Sequence, residues 1–171
     1  MTTFEGTLDG SDCSIGIVLS KFNEPITSRL LAGAEEVLRQ LGTAAEQIQL
    51  VRVPGAFELP LAAKALAHAK QVDAIICLGA VIRGETPHFD YISAETSRGI
   101  GRVSLDSGIP VIFGVLTTNT VEQAMDRSGA VAMGLSAINQ YVDLNSGDNT
   151  LKDYVDYVRN DLMGITRDDL V

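Results

Sequence analysis

The sequence predicts an α/β fold built on a parallel sheet with helices on both faces. Three observations carry this. Four short runs rich in apolar and β-branched residues recur along the chain: residues 14–19 (SIGIVL), 48–53 (IQLVRV), 74–78 (AIICL) and 110–116 (PVIFGVL). They are nearly continuous in apolar character rather than alternating, as strands covered on both faces are. Stretches of helical periodicity separate them, and strand–helix repeated four times implies right-handed crossovers between parallel strands. At 171 residues and 18.2 kDa, the whole chain is expected to form one domain with its own core.

The elements follow in order. After the first strand, Asn23 is placed to cap a helix over residues 25–41, and Pro25 suits its first turn. Ile26, Leu30, Ala34, Val37, Leu38 and Leu41 share one face of that helix, and Gly42 ends it. The second helix runs from about Glu58 to Ala69, with Leu59, Ala62, Ala63 and Leu66 inward. The third covers about residues 89–105 and is weakened by Gly99 and Gly101. The fourth follows Asn119-Thr120, which caps it, and carries Val121, Ala124 and Met125. Residues 131–171 are atypical. Residues 141–171 carry seven aspartates against Lys152, Arg159 and Arg167, a net charge of −4. Asn149-Thr150 is placed to cap a last helix bearing Leu151, Tyr154, Val155, Val158 and Leu162, a stripe suited to docking on the domain or on a neighbouring subunit.

Composition narrows the function. The net charge is −9, which disfavours nonspecific nucleic-acid binding. No apolar run reaches the ~20 residues of a membrane span, and the N-terminus lacks the pattern of a signal peptide. Cys13 and Cys77 sit inside or beside apolar runs and read as buried thiols in a reducing compartment. The expectation is a cytoplasmic protein without a metal.

Ligands of open parallel sheets bind at the carboxyl ends of the strands, so the residues following each strand matter most. These are 20–23, 54–58, 79–89 and 117–120. Phe22, Phe57 and Phe89 fall in them, and Phe113 lies within the fourth strand, material for a slot that takes a flat heterocycle. His88 lies in the longest of these loops and suits general acid–base work. His68, mid-helix, reads as a surface residue. Gly84-Glu85-Thr86 is a turn with amides and a hydroxyl suited to an anion. Arg127 offers the fork a phosphate accepts; Arg83 is ambiguous, with a brace for the loop as one reading. There is no G-x-x-x-x-G-K-[ST] loop, no G-x-G-x-x-G fingerprint, no metal-ligand spacing and no nucleophile elbow. Lys21 alone among four lysines lies near a strand end, which leaves a Schiff-base lyase as an alternative.

The chain resembles the 6,7-dimethyl-8-ribityllumazine synthase family. The resemblance rests on Phe22-Asn23 with Ile26-Thr27, on VPGAFELP at 53–60, on GAVIRGETPHFDYI at 79–92, and on PVIFGVLTT at 110–118 with Glu122-Gln123-Ala124 and Arg127. It spans about residues 4–129. It implies a flavodoxin-like domain with a four-stranded parallel sheet and no cofactor. It also implies a homopentamer, in some members a 60-subunit icosahedral shell, and an association with riboflavin synthase. The implied transferase reaction condenses 5-amino-6-(D-ribitylamino)uracil with 3,4-dihydroxy-2-butanone 4-phosphate. By position, Phe22 would stack on the pyrimidine; Ala56, Phe57 and Glu58 with Ala80, Val81 and Ile82 would hold ring and ribityl chain. Glu85, Thr86 and an adjacent subunit's Arg127 would bind phosphate. His88 would move protons, and Phe113 would reach the pyrimidine pocket across the interface. After Arg127 the chain departs from the family's Lys/Gly/Asn-rich continuation and reads SGAVAMGLS over 128–136. A non-catalytic lumazine- or flavin-binding or scaffold homologue is therefore the alternative.

Overall fold

The computed structural model describes residues 9–129. Its strands are β1 (Ile15–Ser20), β2 (Ile48–Val53), β3 (Ala74–Ile82) and β4 (Val111–Thr118), and its helices α1 (Glu24–Gln40), α2 (Leu59–Ala69), α3 (His88–Ser107) and α4 (Val121–Arg127). All strand pairings are parallel, and the sheet order is β2-β1-β3-β4. The four-stranded, flavodoxin-like α/β fold is therefore as the sequence implies. The last helix and acidic tail expected beyond residue 130 lie outside the described residues.

Alternation along the strands feeds two apolar layers. Ile15, Ile17 and Leu19 of β1 with Ala74, Ile76 and Leu78 of β3 face Ile26, Leu30, Ala34, Val37 and Leu38 of α1, and Ala124 of α4 joins them. Val18, Ile75 and Cys77 point the other way, against Leu59 and Ala63 of α2 and Ile100 and Val103 of α3. β1 and β3 are central strands covered on both faces, which is why their sequences lack alternation. Ile17, Leu19 and Ile75 are fully buried, and each contributes about 1.5–3 kcal/mol of burial.

Chain reversals set where the helices begin. Gly42 adopts φ 88°. Its amide donates to the Arg39 carbonyl and the Thr43 amide to the Leu38 carbonyl, the paired bonds of a Schellman stop. Thr120 caps α4, its side-chain oxygen accepting from the Gln123 amide at 3.2 Å. Gly99 lies inside α3 because α2 crosses there: a Cβ at that position would stand 2.7 Å from Pro60 Cγ.

Two expectations are corrected. β3 continues to Ile82 rather than ending at Leu78, because Gly79, Ala80, Val81 and Ile82 pair with Val115, Leu116, Thr117 and Thr118 of β4. Ala80–Ile82 are therefore rim positions on a strand, not loop residues. Asn23 precedes α1, but its side chain makes no capping bond. Its φ of 61° departs from the extended backbone that aims a capping side chain at the first-turn amides.

Candidate active site

A cleft of about 580 Å³ opens at the carboxyl edge of the sheet, over the ends of β1, β2 and β3. It lies beside the point where the strand order reverses, between β1 and β3, the usual ligand position in such sheets.

The β1 contribution is Phe22, 70% exposed at the mouth. The β1–β2 pairing is prolonged past the strand ends, with the Lys21 amide donating to the Val53 carbonyl at 2.8 Å and the Phe22 amide to Pro54 at 3.0 Å. Asn23 then turns the chain into α1 through its left-handed backbone, and its Nδ2 donates to the Ala80 carbonyl at 2.9 Å. The backbone that carries Phe22 is thus anchored to the ends of β2 and β3.

The β2 contribution is residues 54–58. Glu58 Oε2 accepts from the Gly55 amide at 2.9 Å, folding this segment back on itself as a 3₁₀ turn (Ala56–Glu58) at the head of α2. The Ala56 carbonyl accepts from the buried Thr96 hydroxyl of α3 at 3.2 Å. Phe57, just over half exposed, forms a second aromatic wall.

Ala80, Val81 and Ile82 line the cleft from β3; Gly84 and Thr86 follow from the loop, and His88, Phe89 and Ile92 from the first turns of α3. Gly84, Thr86 and His88 are exposed, and nothing stands within 4 Å of a Cβ built on Gly84. The loop is tied at its ends. The Arg83 amide donates to the Thr118 carbonyl at 2.9 Å. Its guanidinium donates to both carboxylate oxygens of Asp90, at 3.2 and 2.8 Å, and through Nε to Asn119 Oδ1 at 3.2 Å. The same group stacks 4.1 Å from the Phe89 ring centroid. Its hydrogen bond to Asp90 holds that carboxyl below the usual aspartate range. Arg83, whose role the sequence leaves open, braces the loop in this way.

The structure therefore brings Phe22, Ala56, Phe57, Glu58, Ala80, Val81, Ile82, Thr86 and His88 to one cleft. Glu85 is exposed on the same loop but does not line it. Phe113, 41% exposed on edge strand β4, and Arg127, in the last turn of α4, stand outside it; Phe113 lies on the sheet face that α2 and α3 cover, and α4 packs on the other. Lys21 is exposed and also outside the lining, which weakens the Schiff-base alternative. Pro54, Gly55 and Ile92 belong to the wall as well; the sequence places them in a strand-end segment or a family motif but assigns them no role. Ile92 had a legible signal, standing four residues after His88 and so on the same helical face.

Glu58 and His88 are the ionisable side chains of the lining; no lysine or arginine faces the cavity among the described residues. The thiols lie elsewhere. Cys13 and Cys77 are buried and not joined by a disulfide, and burial pushes the Cys77 thiol up to about 12. His68 lies, exposed, at a separate cavity of about 350 Å³ between α2 and α3 that shares no residue with the cleft. Among the described residues, no helix is long and apolar enough to cross a membrane.

Fold and cleft together define an α/β protein with an aromatic-walled cleft at the carboxyl edge of a parallel sheet. A family model described as 6,7-dimethyl-8-ribityllumazine synthase matches residues 12–146, and the chain belongs to that family. The match continues past Gly129, so the departure after Arg127 does not mark the end of family likeness.

Proposed function

We propose that this chain is a transferase that condenses 5-amino-6-(D-ribitylamino)uracil with 3,4-dihydroxy-2-butanone 4-phosphate to give 6,7-dimethyl-8-ribityllumazine. The observation that carries this reading is the meeting, in one cleft, of Phe22, Phe57 and His88 with the β3 rim. The flat pyrimidine stacks between aromatic walls. Backbone groups along 56–58 and 80–82 take its polar edge and the ribityl hydroxyls. Thr86, with the neighbouring Glu85, faces the phosphate end.

The chemistry then needs position and protons. The 5-amino group attacks the ketone carbon, and water leaves as a C=N bond forms between the two substrates. The carbon bearing the hydroxyl then gives up its proton, and as a C=C bond forms the C–O bond to phosphate breaks with the electron pair leaving on phosphate; the resulting enol returns to a ketone. The ribitylamino nitrogen closes the second ring, and a second water departs. His88 accepts and returns protons in these steps, worth ~10²–10⁴-fold. Holding two reactants in attack geometry supplies more, up to about 7–11 kcal/mol. No enzyme nucleophile is required.

A phosphate dianion in this cleft meets no cation from the lining, and Arg83 is engaged by Asp90, Asn119 and Phe89. An uncompensated anion is costly to desolvate, so the site is completed by a second copy. Phe113 and Arg127 stand on opposite faces of the sheet at its β4 edge, and a head-to-tail contact along that edge carries them toward a neighbour's cleft. Such contacts close into rings, in keeping with a homopentamer; a closed shell and an association with riboflavin synthase extend the same reading. The reaction is placed in the cytoplasm.

Purified protein mixed with both substrates is expected to form the fluorescent lumazine faster than the uncatalysed background. A rate equal to background, with the pyrimidine still bound, would favour the non-catalytic homologue, to which the unusual segment 128–136 also points.

A further inference from the structure

Arg83 stands beside the cleft without entering it. We propose that Arg83 and Asp90 form a positioning clamp that sets the reach of Thr86 and His88 into the cleft. The inference rests on the synthase reading and goes beyond it, since neither residue touches the cavity.

The loop 84–87 and His88, which opens α3, have little packing of their own. Gly84, Glu85, Thr86, Pro87 and His88 are all exposed, and the space around Gly84 is open. Contacts within the loop therefore do not fix where the imidazole and the Thr86 hydroxyl stand. The ends of the loop are fixed instead, and one side chain does much of it. The Arg83 backbone is bonded to the end of β4; its guanidinium takes both Asp90 oxygens, bonds Asn119, and covers the Phe89 ring. Asp90 lies two residues beyond His88 in the first turn of α3, and Phe89 is itself part of the cleft wall. Nε, Nη1, Nη2 and one face of the guanidinium are thus all used, which a lysine ammonium does not reproduce.

Stability is a poor reason for this arrangement. The two side chains are 42% and 57% exposed, and ion pairs so exposed add little to folding. Geometry is the better reason, because catalysis by two exposed groups depends on where they are held.

The test uses Arg83→Lys, Asp90→Asn, the double variant and Asp90→Glu in the full chain. With folding checked by circular dichroism, Arg83→Lys and Asp90→Asn should each lower kcat about tenfold to a hundredfold, as a misplacement near 1 Å does. KM for the pyrimidine should change little. The double variant should be no slower than the worse single, since the pair acts as one unit, and Asp90→Glu, which keeps the carboxylate, should recover most of the loss. A second readout needs no turnover. The Asp90 and Tyr91 amides are bonded to the Pro87 carbonyl, and their hydrogen exchange should quicken in Arg83→Lys while β3 amides are unaffected. Wild-type kcat in a folded Arg83→Lys or Asp90→Asn overturns the clamp, as do losses that multiply in the double variant. If the wild-type chain makes no lumazine, the synthase reading falls by itself. Exchange then decides alone: faster at Asp90 and Tyr91 upholds the clamp, and unchanged exchange overturns it.

Discussion

The Asn23 side chain bonds the Ala80 carbonyl at 2.9 Å, joining the turn that presents Phe22 to the β3 rim across the cleft. Asn23 sits at φ 61°, a conformation that asparagine tolerates better than most residues. Asn23→Gly keeps the turn and loses the tie; Asn23→Ala strains the turn and loses the tie. Asn23→Ala is expected to cost on the order of 1 kcal/mol or more in denaturant unfolding, and Asn23→Gly less. Both should raise KM for the pyrimidine, as Phe22 loses an anchor.

His88→Ala should lower kcat by ~10²–10⁴-fold while pyrimidine affinity, read by fluorescence titration, changes much less. Loss of binding in step with rate would make His88 a binding group rather than a proton carrier.

Arg127→Ala should raise KM for the phosphorylated substrate and leave the pyrimidine's affinity intact. The shared-site reading adds a sharper expectation. His88→Ala and Arg127→Ala chains, unfolded together and reassembled, should regain activity that neither shows alone. Some clefts then pair an intact His88 with an intact Arg127 from the next subunit. No recovery on mixing would mean that both residues serve one subunit's site.

Burial raises the Cys77 thiol from 9.0 to about 12. Between those values the unfolded chain gives up this proton and the folded chain keeps it. Its contribution to stability is therefore complete below pH 9 and drains away as pH rises toward 12. Comparing denaturant midpoints of wild type and Cys77→Ala from neutral to about pH 10 isolates this slope, which should be absent in the variant. Iodoacetamide should modify Cys77 only after unfolding.

The two glycines of α3 should part company. Gly99→Ala places a Cβ 2.7 Å from Pro60 and should destabilise by about 1–3 kcal/mol through overpacking. Gly101 has open space around it, so Gly101→Ala should stabilise by roughly 0.5–1 kcal/mol as a better helix former. Thermal melts of the two variants check both signs.

Local chemistry made much of this protein readable from its chain. Residues 15–19 and 74–78 are apolar without a break because both sides of their strands are covered, and that continuity by itself implies a parallel sheet. Gly42 and Thr120 stop and start helices through bonds within a few residues. The candidate site was legible in kind as well, since Phe22, Phe57 and His88 all follow strands that end at one edge. Pairing between distant segments was decided elsewhere. β3 runs on to Ile82 only because β4 supplies partners for Gly79 through Ile82. Asn23 reaches Ala80, fifty-seven residues away, instead of capping its own helix, and Arg83 is turned from the cavity by Asp90, Asn119 and Phe89. Hydrogen bonds and burial within a helix or a strand depend on neighbours in sequence, so they are written there. The direction in which an exposed side chain finally points depends on which partner the folded sheet brings near, and that is a property of the assembled chain alone.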